Sequence, residues 1–215
     1  SRRATARKGD YGRVLIVGGS AMYTGAPLLA GRAALAAGCD VVTIAAPRRV
    51  ADVAARMPDL ITIPLTGTML TRKHLSTIRK LAERSDALLI GNGLGRETRT
   101  LAAVRAFLRR CALPTVIDAD ALYALRDFRA RVPTILTPHA GEFAAMAGAN
   151  VEQDLAKRCT QVKQAARKFR CVILLKGHVD VISDGSRTYA NRTGNPYMTK
   201  GGTGDVLAGL TVALA

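Results

Sequence analysis

Apolar residues in this chain come mostly in short unbroken blocks: 14-VLIV-17, 41-VVTIA-45, 60-LITIPL-65, 87-ALLIG-91, 115-TVIDA-119, 134-TILTP-138 and 171-CVILLKG-177. Runs of that length, rich in Val, Ile and Leu, predict strands. Their continuity, in place of alternation, predicts burial on both faces of a parallel sheet. Helix-like stretches lie between them. Residues 24–38 are rich in Ala and Leu and stop at Gly38, as helices commonly do. Residues 71–84, 97–111 and 152–169 carry an apolar stripe opposite Lys and Arg, and residues 203–215 open another helix. Strand followed by helix, repeated, predicts an α/β layered fold with right-handed crossovers. The stretch 179-VDVISDGSRTYANR-192 departs from this rhythm, and its two strand-like runs around Asp184-Gly185 predict a hairpin. No repeat, low-complexity tract or linker interrupts the pattern, so residues 1–215 read as a single domain. The last helix is still apolar at Ala215, and further C-terminal helices are expected beyond it.

Composition narrows the picture. The 48% hydrophobic content supplies a sizeable core, which excludes a disordered chain. No run reaches about eighteen apolar residues, so no membrane helix is expected. The opening SRRATARKGD is basic but has no apolar segment behind it and does not read as a signal peptide. Ser1 is not a start methionine, which fits an excised piece. Cys39, Cys111, Cys159 and Cys171 are widely spaced with no CxxC. They read as buried thiols of a cytoplasmic protein, not as a zinc site. Asn191-Arg-Thr matches a glycosylation acceptor, read as chance where no secretion signal accompanies it. The net charge of +16, from 32 basic and 16 acidic residues, favours polyanions, either nucleic acid or phosphorylated small molecules. The arginines are scattered through helix-like segments and aromatics are only 4%, which weighs against a base-stacking nucleic-acid surface.

Ligands of open α/β sheets bind beyond the carboxyl ends of the strands. Polar or Gly-rich turns collect there: GGSAMYTGA, GNGLG, DADAL, TPHAGEF and KGHVD. No GxGxxG with an acidic partner occurs and no GxxxxGK[ST], so neither a Rossmann dinucleotide site nor a P-loop is supported. The stretch 199-TKGGTGDVLAGL-210 carries more. Gly201, Gly202, Thr203 and Gly204 bring backbone amides to a helix N-terminus, an anion hole suited to phosphate. Asp205, on the first helical turn, reads either as dipole compensation or as a general base beside that hole. Phosphoryl transfer needs that combination of amide donors and a base. His139 is a lone histidine at a turn. It has no metal-ligand spacing with His74 or His178, so no residue is assigned as a metal ligand. Asp118 and Asp120 read as helix-capping or loop-bonding residues ahead of a metal pair. Lys176 reads as a phosphate contact or as a chain snorkelling to solvent.

In this order, KGDYGRVLIVGGSAMYTGAPLLAGRAAL, IGNGLGRET, VIDADAL, ILTPHAGEF, LLKGHVDVI and GNPYMTKGGTGDVLAG resemble the NAD(P)H-hydrate dehydratases over nearly the whole chain. GGTGD alone marks only the ribokinase-like superfamily; TPHAGEF with YTGAPLLA narrows it. The resemblance implies a ribokinase-like three-layer α/β/α sandwich with a mostly parallel sheet. It also implies a hydro-lyase that repairs the S-epimer of hydrated NADH and NADPH. The hydrate's hydroxyl is phosphorylated by ADP or ATP with Mg2+, and phosphate then leaves. ADP is expected ahead of ATP. By position, Ala26, Gly93, His139 and Asp205 match contacts to the hydrated dinucleotide. Lys176, Gly177, His178, Val179, Asp180 and Gly204 match contacts to the nucleotide, and Asp205 matches the base. Homo-oligomers, tetramers among relatives, are also implied, and SRRATARKGD reads as the tail of a linker from a fused epimerase domain. Tyr197 in GNPYM and Tyr123 in DADALY depart from the family's usual small and polar residues. The competing readings are a ribokinase-like kinase of a sugar or vitamin-precursor alcohol, and a non-catalytic basic nucleic-acid-binding module.

Overall fold

The computed structural model describes Arg3 and residues 5–215, so Ser1, Arg2 and Ala4 of the opening basic stretch lie outside the described residues. Each apolar block forms a strand: β1 (Arg13–Val17), β2 (Val41–Pro47), β3 (Ile61–Leu65), β4 (Ala87–Ile90), β5 (Thr115–Ile117), β6 (Thr134–Leu136) and β7 (Val172–Leu175). The hairpin forms as β8 (Asp180–Ser183) and β9 (Thr188–Asn191). Among the described residues these strands make one sheet in the order β3-β2-β1-β4-β5-β6-β7-β8-β9. β1 to β7 run parallel, and β8 and β9 add antiparallel at one edge. β4 and β5 are buried throughout, as strands covered on both faces must be. The opposite edge strand, β3, carries Pro64, which lacks the amide a central strand would need.

Helices cover both faces. α1 (Ala26–Ala37), α2 (Arg48–Ala54) and α7 (Thr203–Leu214) meet Val14, Ile16, Ile44, Leu89 and Val116 on one side. α3 (Leu75–Ala82), α4 (Thr98–Leu108), α5 (Ala140–Ala147) and α6 (Leu155–Phe169) meet Leu15, Val17, Leu88, Ile90 and Ile117 on the other. The result is the expected three-layer α/β/α sandwich. α1 ends on Gly38 in the left-handed conformation, as its sequence predicts. α2 and α5 were not legible as helices. α2 is only seven residues long, and α5 sits inside TPHAGEF, where Pro138 and Gly141 signal a turn.

α7 packs directly on α1. A Cβ at Gly209 of α7 would sit 2.1 Å from the Ala30 carbonyl oxygen of α1, so only glycine lets the two backbones approach this closely. Gly209→Ala is expected to lower stability by about 1–3 kcal/mol through overpacking. Gly25→Ala, where a Cβ meets open space, is expected to leave the thermal melting temperature nearly unchanged. Equal melting temperatures for the two variants would refute this account of the helix contact.

Candidate functional site

The carboxyl ends of β4, β5, β6 and β7 deliver their turns to one place. Asp118, the residue after β5, is 2% exposed. It is held from several directions. Its Oδ1 accepts from Thr137 Oγ1 at 2.7 Å and pairs with Lys176 Nζ at 3.1 Å, while its Oδ2 accepts from Asn92 Nδ2 at 3.0 Å. Thr137, Lys176 and Asn92 are the polar residues just past β6, β7 and β4, so four strand ends converge on one carboxylate. Gly91 permits the approach of the β4 turn: a Cβ there would lie 1.7 Å from the Asp118 carbonyl oxygen.

Asn92 reaches further. The same Nδ2 donates to Asp205 Oδ1 at 2.7 Å, which joins the first turn of α7 to the sheet edge. Asn92 is completely buried, and its Oδ1 has no hydrogen-bond partner among the described residues. α7 starts at Gly202, in the left-handed conformation, with no side-chain cap. The first intrahelical bond runs from the Val206 amide to the Gly202 carbonyl. The amides of Gly204 and Asp205 therefore have no acceptor within the helix and carry the positive end of its dipole. Thr203 Oγ1 donates to the Met198 and Lys200 carbonyls, which folds the preceding loop against the helix start. Lys176 Nζ lies 3.6 Å from the position a Cβ of Gly204 would take, so a cation stands beside this N-terminus.

Burial pushes the Asp205 carboxyl above its ordinary value. Repulsion from Asp118 adds to the rise, while the Asn92 hydrogen bond and Lys176 oppose it. Glu142 is raised as well, by burial first and by Asp118 in addition; the His139 amide, Lys176 and the His139 ring pull the other way. Glu142 Oε2 accepts the His139 amide at 2.8 Å and lies 3.9 Å from Lys176 Nζ.

His139 is the N-cap of α5. Its Nδ1 accepts from the amides of Gly141 and Glu142, and Glu142 answers by accepting the His139 amide, a reciprocal capping box. That arrangement puts the ring proton on Nε2, 3.3 Å from Glu142 Oε1.

The structure groups several residues singled out in the sequence. Gly93 sits against Ala26, with 3.2 Å between the position of a Gly93 Cβ and the Ala26 Cβ. Lys176, Gly177 and Val179 border a cleft of about 330 Å³ with Gly141, Val151 and Arg158. His178 lies exposed in the β7–β8 turn. Asp180 accepts the Gly177 amide at 3.0 Å and braces that turn. Gly201 is exposed just before α7. Asp120 accepts from the Gly95 amide and from Arg96, whose guanidinium stacks 3.8 Å from the Tyr123 ring centroid. Tyr197 is 88% exposed.

Of the two readings of Asp118, capping or loop bonds, the structure bears out the second, through Asn92 and Thr137. It caps nothing with its side chain; it is the buried centre of the polar network. Lys176 is likewise tied to Asp118 and does not snorkel. Asn92, Thr137 and Glu142 went unnoticed in the sequence. A polar residue at the end of a continuously apolar strand, directly after it for Thr137 and one glycine on for Asn92, was the available signal. Among the described residues no group of three or more His, Cys, Asp or Glu side chains is arranged to hold a metal ion by itself.

Residues 14–215 match the family model described as NAD(P)H-hydrate dehydratase. A bifunctional NAD(P)H-hydrate repair enzyme Nnr of Pyrobaculum aerophilum is 52% identical over 99% of this chain and 43% of its own length, so the chain spans less than half of that relative. An ADP-dependent (S)-NAD(P)H-hydrate dehydratase of Cenarchaeum symbiosum is 41% identical over all of this chain and 76% of its own length. Among solved structures, the ADP/ATP-dependent NAD(P)H-hydrate dehydratase of Bacillus subtilis co-crystallized with ATP/Mg2+ superposes with a TM-score of 0.81 at 31% identity, covering 100% of this chain and 76% of that one.

Because the Asp205 carboxyl is raised in the folded chain, its ionisation opposes folding. The group destabilises nothing below its ordinary value near 3.8, and costs stability progressively as pH rises past that value. Asp205→Asn keeps an acceptor for Asn92 and removes the charge. It is expected to melt about 1–3 °C above wild type at neutral pH and alongside it at pH 3. A lower melting temperature at neutral pH would contradict the origin given for the shift.

Proposed function

Since the chain belongs to the NAD(P)H-hydrate dehydratase family, we propose that it restores NADH and NADPH from their S-hydrates at the expense of ADP or ATP, with Asp205 as the base. The observation that carries this reading is the pairing of a raised, half-buried carboxylate with unbonded amides on the same first turn of α7. Asp205 takes the proton of the ring hydroxyl, the freed oxygen attacks the terminal phosphoryl group of the nucleotide, and the bridging P–O bond breaks to release AMP from ADP or ADP from ATP. Amides at Gly201 to Gly204 and the ammonium of Lys176 stabilise the charge on the transferring group. The phosphate ester then breaks its C–O bond. Phosphate departs with the electron pair, the neighbouring ring carbon gives up a proton, and the 5,6 double bond returns.

Ala26, Gly93 and His139 are read as the dinucleotide side of the site. Lys176, Gly177, His178, Val179, Asp180 and Gly204 are read as the nucleotide side. The nearness of Ala26 to Gly93, and the cleft at Lys176 and Gly177, support that division. The similarity to relatives named ADP-dependent favours ADP. The residues present do not fit a protein-held magnesium, since Asp118 and Glu142 are already engaged by Lys176, Thr137 and the His139 amide. Magnesium is read as arriving on the nucleotide's phosphates with its own waters, and no step is assigned to it. The net charge of +16 suits substrates that carry several phosphates. Exposed Leu29, Val206 and Leu210 on the packed pair α1 and α7 support a homo-oligomer. The four free cysteines suit a reducing cytoplasm.

Incubation with hydrated NADH and either nucleotide is expected to return the NADH absorbance. Asp205→Asn should lower kcat by about 10²–10⁴-fold while nucleotide affinity persists. Wild-type rates should fall as pH drops through the raised Asp205 range. Stable phosphorylation of another alcohol, with no return of NADH, would favour the kinase reading instead.

A further inference from the structure

We infer that Asn92 is the positioning residue of the base: its buried amide spans Asp118 and Asp205, holding Asp205 by one oxygen and leaving the other for the substrate hydroxyl. The inference rests on the reading of Asp205 as the base.

The geometry is specific. Both carboxylates accept from one nitrogen, at 3.0 Å for Asp118 and 2.7 Å for Asp205. An amide nitrogen brings two protons, one for each acceptor. The oxygen of the same amide is left buried and without a partner among the described residues. A residue retained only for packing or folding gains nothing from an unsatisfied buried carbonyl. An amide retained for its two donors does, because only the carboxamides of Asn and Gln present two N–H groups from one neutral atom, and asparagine is the shorter of the two. The described hydrogen bonds engage Asp205 through Oδ1 alone, so Oδ2 is the oxygen able to receive a proton.

Asn92 also sets what the base experiences. Asp118 at the end of β5 and Lys176 at the end of β7 are the charges acting on Asp205. Glu142 of α5 acts on the cluster through Lys176. The facing helix α1 contributes only Arg32, and the loop before α7 contributes Arg192 and Lys200. The turn after β4 carries no charge at Asn92. It therefore steadies two mutually repelling carboxylates without neutralising either. A lysine in its place would quench the base, and an aspartate would add a third negative charge.

Asn92→Ala tests this, with Asn92→Ser, smaller and able to donate to one carboxylate, as the second variant if the first does not fold. In the repair assay Asn92→Ala is expected to lose about 10- to 100-fold in kcat with KM for the hydrate little changed. The acid limb of the kcat profile should move to higher pH, since the carboxylate loses a hydrogen bond to its charged form. Asn92→Ser should recover part of both effects. An unchanged acid limb, or a fall in kcat matched by the loss of folded protein, would overturn the inference. A ¹³C-carboxyl NMR titration, with Asp205→Asn identifying the resonance, reads the same coupling without turnover. An Asp205 midpoint that does not rise in either Asn92 variant overturns it there too. Wild-type protein that returns no NADH with either nucleotide would sink the reaction assigned above, while the titration would still decide the role of Asn92.

Discussion

A carboxylate buried at the centre of a parallel sheet's edge has to be compensated, and Asp118 sets the terms for everything around it. At 2% exposure its charge cannot be met by water, so the protein must supply a cation and donors in fixed directions. Lys176 from β7, Thr137 from β6 and Asn92 from β4 do so. Each is held by its own strand, and the parallel register fixes where those strands end. The sheet thus becomes a jig: three neighbouring strand ends are bound to the fourth through one side chain.

The same network reaches the chemistry by two routes. Lys176 stands against Asp118 and beside Gly204, so one cation serves both the buried carboxylate and the open helix N-terminus. Asn92 links Asp118 to Asp205. Asp205, the proposed base, is therefore coupled to Lys176 on the proposed nucleotide side through side chains that contact one another, with no long path required. A phosphate drawn to Lys176 would weaken its hold on Asp118 and strengthen the repulsion felt by Asp205, which would raise the basicity of that carboxylate.

The strands were legible because burial on both faces leaves continuous apolar runs, and every such run forms one. The convergence of polar turns at one edge was legible for the same reason, since parallel strands must all end there. What escaped was one-sided or short. α5 begins inside TPHAGEF, where His139 acts as its cap, and histidine is not among the residues that announce a helix start. Asn92 escaped because the glycines of GNGLG drew attention to backbone freedom and away from the amide between them. Asp118 was visible, but its role depends on Lys176, which lies 58 residues on. Contacts of that separation leave no local pattern to read.

The placement of Asp205 then turns on packing more than on capping. α7 has no side-chain cap, so nothing local fixes where its first turn begins. Gly209 locks the helix against Ala30 of α1 by backbone contact, and Ala208 and Val212 seat it on the sheet. Leu29 of α1 meets the space over Gly202, which limits how far the helix start can move. The uncapped N-terminus is left open to an anion because tertiary contacts along α1 do the anchoring that a cap would otherwise do. A serine or aspartate cap would secure the helix more cheaply, but it would occupy the amides that the proposed phosphoryl transfer requires.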